Sequence, residues 1–85
     1  MPPAKITIYA SSWCGDCFRV RRFCDKYRIP YTWMDIDANP EAEKFVLKTN
    51  NGMRSVPTLV FEDGSLLVEP TNAALAEKLG LRNAR

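Results

Sequence analysis

The sequence predicts an α/β sandwich built around a four-stranded mixed sheet, with elements in the order β-α-β-α-β-β-α. Short runs of β-branched and aromatic residues alternate with segments whose apolar residues recur at steps of three and four. That is the pattern of a parallel β-α-β unit. An Asp63-Gly64 pair between two later apolar runs is a hairpin signal, so the second half of the sheet is antiparallel. At 85 residues and 46% hydrophobic content, the chain has room for one domain, spanning 1–85, and enough apolar side chain for a core.

The first strand is Lys5–Ala10, rich in β-branched and aromatic residues and running out into the polar Ser11-Ser12. From Cys14 to Tyr27, residues Cys14, Cys17, Val20, Cys24 and Tyr27 line one face of a helix that Ile29-Pro30 must stop. Tyr31–Ile36 reads as the second strand, with Trp33 in the core. Asn39-Pro40-Glu41 then supplies a cap, a proline at the first helical position and an acid in the first turn. The second helix buries Ala42, Phe45 and Val46 with Thr49 and stops at Asn51-Gly52. Strands Thr58–Phe61 and Leu66–Val68 flank the Asp63-Gly64 turn. The last helix runs from a cap at Thr71 or Asn72 through Leu75 and Leu79 to Gly80, and Arg82–Arg85 is expected to fray.

Composition narrows the chemistry. Twelve Lys and Arg against ten Asp and Glu give +2, interspersed except for Arg19, Arg21 and Arg22, so no nucleic-acid partner is expected. The chain has no histidine, which removes the usual general base and the commonest metal ligand together. It has three cysteines, Cys14, Cys17 and Cys24, an odd count that argues against a secreted disulfide scaffold. Met1-Pro2-Pro3-Ala4-Lys5 has no apolar segment behind it, and no membrane-length apolar run follows. A cytoplasmic monomer that does not bind membranes is therefore expected, in a compartment where close cysteine pairs are catalytic or metal-binding.

Trp13-Cys14-Gly15-Asp16-Cys17 stands where the first strand hands over to the first helix. A thiolate is the nucleophile of disulfide exchange, and free N–H groups and the macrodipole at a helix N-terminus stabilise it. Cys14 is placed to attack; Cys17, three residues on, is placed to resolve a mixed disulfide on Cys14. Arg19, Arg21 and Arg22 add positive charge nearby and Asp16 opposes it. Cys-x-x-Cys is also a zinc-ligand spacing, but without histidine only Cys24 and a carboxylate remain to complete a site. The strand-turn-helix context favours redox chemistry with no metal, and Cys24 reads as core packing. In Ser55-Val56-Pro57-Thr58 the proline starts a strand, where a cis peptide is an option. Asp35 and Asp37 read as a solvated turn, and Lys44 and Lys48 as a solvated helix face.

Together, the Trp-Cys-Gly-x-Cys box, the Val-Pro ahead of the third strand, the glycine-turn hairpin and the element order resemble the glutaredoxin branch of the thioredoxin superfamily. The resemblance runs from about Lys5 to Leu81. Tyr9–Gly15, Asp35-Ile36-Asp37, Arg54–Thr58 and Glu69-Pro70-Thr71 are most similar to the mycoredoxins. It implies a thioredoxin-like (glutaredoxin) fold and a dithiol-disulfide oxidoreductase, with Cys14 attacking and Cys17 resolving. It further implies Pro57 as a cis-proline facing the cysteines, the Val56 backbone pairing with an extended substrate, and Trp13 shielding the thiol and contacting the partner. Asp16 stands where glutaredoxins commonly carry an aromatic residue and thioredoxins a proline, and bears on partner electrostatics. Glu69-Pro70-Thr71-Asn72 replaces the glycine pair and acidic cluster that hold glutathione in many glutaredoxins. Thr71 and Asn72 still open a helix whose N–H groups suit the carboxylate of an anionic thiol. The implied partners are disulfide-containing proteins and a low-molecular-weight thiol co-substrate, glutathione or mycothiol-type, with no tightly bound cofactor. Besides a non-catalytic interaction domain in which Cys14 is inert, two other functions compete. One is an electron donor to ribonucleotide reductase fed by a thioredoxin-reductase-type flavoprotein, and the other is a metal or iron–sulfur carrier.

Overall fold

Strand β1 (Ile6–Ala10) turns Ile6, Ile8 and Ala10 to one side of the sheet and Thr7 and Tyr9 to the other. In the computed structural model, which describes residues 5–81, it is followed by α1 (Gly15–Lys26), β2 (Tyr31–Asp35), α2 (Pro40–Thr49), β3 (Thr58–Phe61), β4 (Leu66–Val68) and α3 (Asn72–Leu79). The sheet order is β2-β1-β3-β4. Strands β1 and β2 are parallel with Ile8 opposite Trp33, whereas β1 and β3 are antiparallel with Ile8 opposite Leu59. Strands β3 and β4 pair through the expected hairpin, in which Gly64 supplies a φ of +86°. The expected fraying of Arg82–Arg85 and the reading of Met1–Ala4 lie outside the described residues.

One face of the sheet, Ile6, Ile8, Ala10, Leu59 and Phe61, is covered by Cys17, Val20, Phe23 and Cys24 of α1 and Leu75 and Ala76 of α3. The other is covered by α2, where Ala42 and Val46 pack with Ile36, and Phe45 stacks on Tyr9 at 4.6 Å between ring centroids. Since successive strand residues face opposite sides, this split follows from the β1 sequence itself. Among the described residues, no helix is long and apolar enough to cross a membrane.

The boundaries differ from expectation where a side chain outcompetes the backbone. Helix α1 starts at Gly15, because Cys14 is extended (φ −95°, ψ 113°) and caps the helix with its own sulfur. Strand β2 ends at Asp35, although the Ile36 N–H still donates to the Ala10 carbonyl at 2.9 Å and Ile36 is buried on the α2 face. Ser11, in the loop that follows β1, is buried. Trp33 was expected in the core and is half-buried, stacked on Phe18 at 5.8 Å with the Arg21 guanidinium 4.9 Å from its ring. Cys24 is buried as core packing, and burial pushes its thiol up to about 11.

Candidate active site

Cys14 is the residue at which β1 becomes α1. Its N–H donates to the Ser11 carbonyl at 3.4 Å and its carbonyl accepts from the Phe18 N–H, closing the turn on both sides. Its Sγ accepts the Cys17 backbone N–H at 3.3 Å, so the sulfur occupies the capping position at which a helix offers free donors. On the other side it meets the loop before β3, with Sγ 3.8 Å from the Val56 carbonyl. The Val56-Pro57 peptide is cis, and Pro57 is buried with its carbonyl accepting from the Glu69 N–H at 2.8 Å.

The two thiols stand in different surroundings. Cys14 is partly exposed and both are free, whereas Cys17 is fully buried. Burial pushes Cys17 up to about 12, with the hydrogen bond to Cys14 and the charges of Cys14 and Asp16 acting in the same direction and a backbone hydrogen bond from Ser11 opposing them. At neutral pH Cys17 is therefore a thiol.

Trp13, Cys14, Asp16, Arg54, Val56 and Glu69 line an open cleft of about 450 Å³. Trp13 is 71% exposed at its edge. Asp16 bears one carboxylate and Glu69 another, while Arg54 is held by Asp37 and by Glu43, the latter at 3.0 Å. These two carboxylates raise the Arg54 guanidinium above its ordinary value, the Asp37 hydrogen bond most. The Asp35-Asp37 turn is solvated as expected, with the Asp37 N–H on Asp35 at 2.8 Å, but Asp37 also anchors Arg54.

The structure thus brings together Trp13, Cys14, Asp16, Val56 and, beneath them, Cys17 and Pro57. It does not bring Thr71 and Asn72 to the same cleft. The Thr71 hydroxyl caps α3 by accepting the Ala74 N–H at 3.0 Å. Asn72 lines a second cleft and accepts Arg19 at 2.7 Å through Oδ1. Arg54 and Glu69 stood only within stretches similar to the mycoredoxins and were not expected as site residues. The partners of Arg54 are 11 and 17 residues away, beyond any local pattern. A signal for Glu69 existed: only Glu69, Pro70 and Thr71 connect β4 to α3, so the chain must turn sharply there. Among the described residues, no group of three or more Cys, Asp or Glu side chains could hold a metal ion.

A family model described as Glutaredoxin matches residues 6–66. The chain is 43% identical over 79 residues to a protein carried under the name glutaredoxin in Mycobacterium tuberculosis strain H37Rv, covering 93% of this chain and 94% of the relative. It is 33% identical over 76 residues to mycoredoxin 1 of Corynebacterium glutamicum, covering 89% of this chain and 94% of that one. Among solved structures, a mutant of a thioredoxin-like protein superposes with a TM-score of 0.80 at 26% identity, covering 92% of this chain and 97% of the other. Sequence, sheet order and the cysteine-bearing turn agree, and the chain belongs to the glutaredoxin family of thiol-disulfide oxidoreductases, on the thioredoxin-like fold.

Proposed function

We propose that this oxidoreductase reduces protein disulfides, or mixed disulfides between proteins and a low-molecular-weight thiol, with Cys14 as the attacking residue and Cys17 as the resolving one. The asymmetry of the two thiols carries the reading: Cys14 Sγ opens onto the cleft at the helix cap, while Cys17 lies buried directly behind it. The Cys14 thiolate attacks one sulfur of the substrate disulfide, forming a mixed disulfide and expelling the other sulfur as a thiolate. Cys17 then attacks Cys14 Sγ, forming the Cys14–Cys17 disulfide and releasing the second substrate sulfur, which takes the proton Cys17 gives up. Two electrons have moved from the dithiol to the substrate. Two equivalents of a small thiol restore the dithiol and leave as their own disulfide.

The substrate chain docks along the Val56 backbone, beside Trp13, in line with the approach of the Val56 carbonyl to Cys14. Asp16 and Glu69 make the rim unfavourable for glutathione, which carries two carboxylates, because the one cation there, Arg54, is already engaged by Asp37 and Glu43. The likeness to mycoredoxin 1 supports a mycothiol-type thiol as co-substrate.

Cys14→Ser is expected to abolish turnover of a mixed-disulfide substrate, and retained reduction in that variant would defeat the assignment. Cys17→Ser should keep only those reactions that an external thiol can resolve. Exposing that variant to disulfide-stressed extract of the native host and weighing the intact protein identifies the partner of Cys14. A small-thiol adduct supports the co-substrate reading; protein adducts alone overturn it in favour of a reductase fed by a flavoprotein.

A further inference from the structure

Helix α1 carries its cations on a face that the redox chemistry does not use. Arg19, Arg22 and Lys26 lie at spacings of three and four, and with Phe23, Tyr27 and Asn72 they line a cleft of about 410 Å³ between α1 and the start of α3. No carboxylate lines it. Arg19 is built into its wall, donating to Asn72 Oδ1 and to the Pro70 carbonyl, each at 2.7 Å. Arg22 and Lys26 form no ion pair among the described residues, and the Lys26 ammonium lies 5.3 Å from the Tyr27 ring. With Oδ1 of Asn72 turned to Arg19, its NH₂ group remains as a further donor at this cleft. A helix face at the surface ordinarily mixes charges; this one presents cations and aromatic edges to a concave site.

The cleft adjoins the site around Cys14 through one ion pair. Asp16 belongs to the Cys14 rim and sits 3.5 Å from the Arg19 guanidinium, which belongs to the cationic cleft. At about 1.5 Å of rise per residue, Arg19 lies about 7.5 Å, and Lys26 about 18 Å, along the helix from Cys14. An extended chain whose cysteine is bonded to Cys14 spans that range about two to six residues away from the bond.

We propose that this cleft docks an acidic segment of the disulfide-bearing protein substrate, with Asp or Glu side chains about two to six residues from the reactive cysteine. The inference rests on Cys14 as the attacking residue and adds a recognition site that the chemistry alone does not require. Carboxylates meet Arg22, Lys26 and the Asn72 amide, and the contact raises association rate and register more than the chemical step. A small uncharged disulfide cannot reach the cleft and is indifferent to it.

The test uses the whole protein and three substrates: bis(2-hydroxyethyl) disulfide, a disulfide peptide with glutamates at those positions, and the same peptide with glutamines. The wild type is expected to turn over the acidic peptide with kcat/KM about tenfold above the glutamine peptide at low salt, the ratio shrinking as salt rises. Charge reversal at both Arg22→Glu and Lys26→Glu removes the ratio and leaves the small disulfide and the glutamine peptide at wild-type rates. Equal turnover of the two peptides by the wild type overturns the proposal, as does a double variant that slows all three substrates alike. Amide shifts along α1 produced by a single-stranded oligonucleotide and not by the acidic peptide would likewise overturn it. Failure of the nucleophile assignment reads differently, as activity on the small disulfide surviving in Cys14→Ser.

Discussion

At the scale of single residues, Glu69 shows a cost that local preference would not choose. Its φ of +48° lies in the left-handed region, where a side chain with a Cβ crowds its own backbone. The turn holds it there, since the Glu69 N–H must reach the Pro57 carbonyl while Pro70 fixes the next residue for the entry to α3. Glu69→Gly relieves that crowding but frees the unfolded chain, and the two effects together are expected to raise stability by about 0.5 kcal/mol. A urea midpoint that falls instead would show that the freedom gained by the unfolded chain outweighs the relief of crowding at Glu69. The approach of Val56 to Cys14 was expected only from the family resemblance, whereas the places of Cys14 and Cys17 at a helix start and of Pro57 at the entry to a strand were legible in neighbouring residues. Arg54 and the Arg19–Asn72 link were not, because those partners meet only after the chain has folded over 11 to 53 residues.

Among the elements, α2 shows how a cap and a loop can be separated experimentally. The Asn39 side chain accepts the N–H groups of both Glu41 and Ala42 at 3.1 Å, and Pro40 starts the helix without needing a donor. At the far end, Asn50 Nδ2 donates to the Val46 carbonyl and to Thr58 Oγ1, and Thr58 Oγ1 donates to the Ser55 carbonyl at 2.6 Å. That chain of bonds fixes the Ser55–Thr58 loop, and with it the Val56 carbonyl that faces Cys14. Asn39→Ala should cost about 1 kcal/mol in a urea titration yet leave turnover of a small disulfide unchanged. A loss of turnover in proportion to the loss of stability would mean that the two ends of α2 are coupled. Every predicted element is present, because apolar spacing, Asn-Pro and Asp-Gly are written locally. The starts of α1 and α3 were off by a residue or left open between two, since a capping side chain and the first helical residue look alike in sequence and only the dihedral angles separate Cys14 from Gly15 and Thr71 from Asn72.

The molecule as a whole ties its stability to pH through groups at opposite ends of the scale. On the acid side, the hydrogen bond from Lys78 and those from Ser65 hold the Asp63 carboxyl below its ordinary value of 3.8. The unfolded chain binds that proton first, so this contribution is present above about pH 4 and is lost as pH falls. On the alkaline side, burial raises Cys17 to about 12 and Cys24 to about 11 from an ordinary 9.0. Unfolding then exposes thiols that ionise where the folded ones do not. The contribution of these thiols is whole below about pH 9 and declines as pH climbs from there through the folded values, because the native state retains protons that the unfolded chain has released. Burial also raises Tyr31 from 10.0, so its contribution has the same sign at higher pH. The urea midpoint, measured with reductant present, should therefore change little between pH 6 and 8 and drop clearly by pH 10. Cys24→Ala lowers the midpoint at every pH by opening a cavity, but its decline between pH 8 and 10 should be shallower because one of the two protons no longer takes part. Identical declines in the two proteins would show that Cys24 ionises as easily in the fold as in the unfolded chain, and that its burial has no electrostatic consequence.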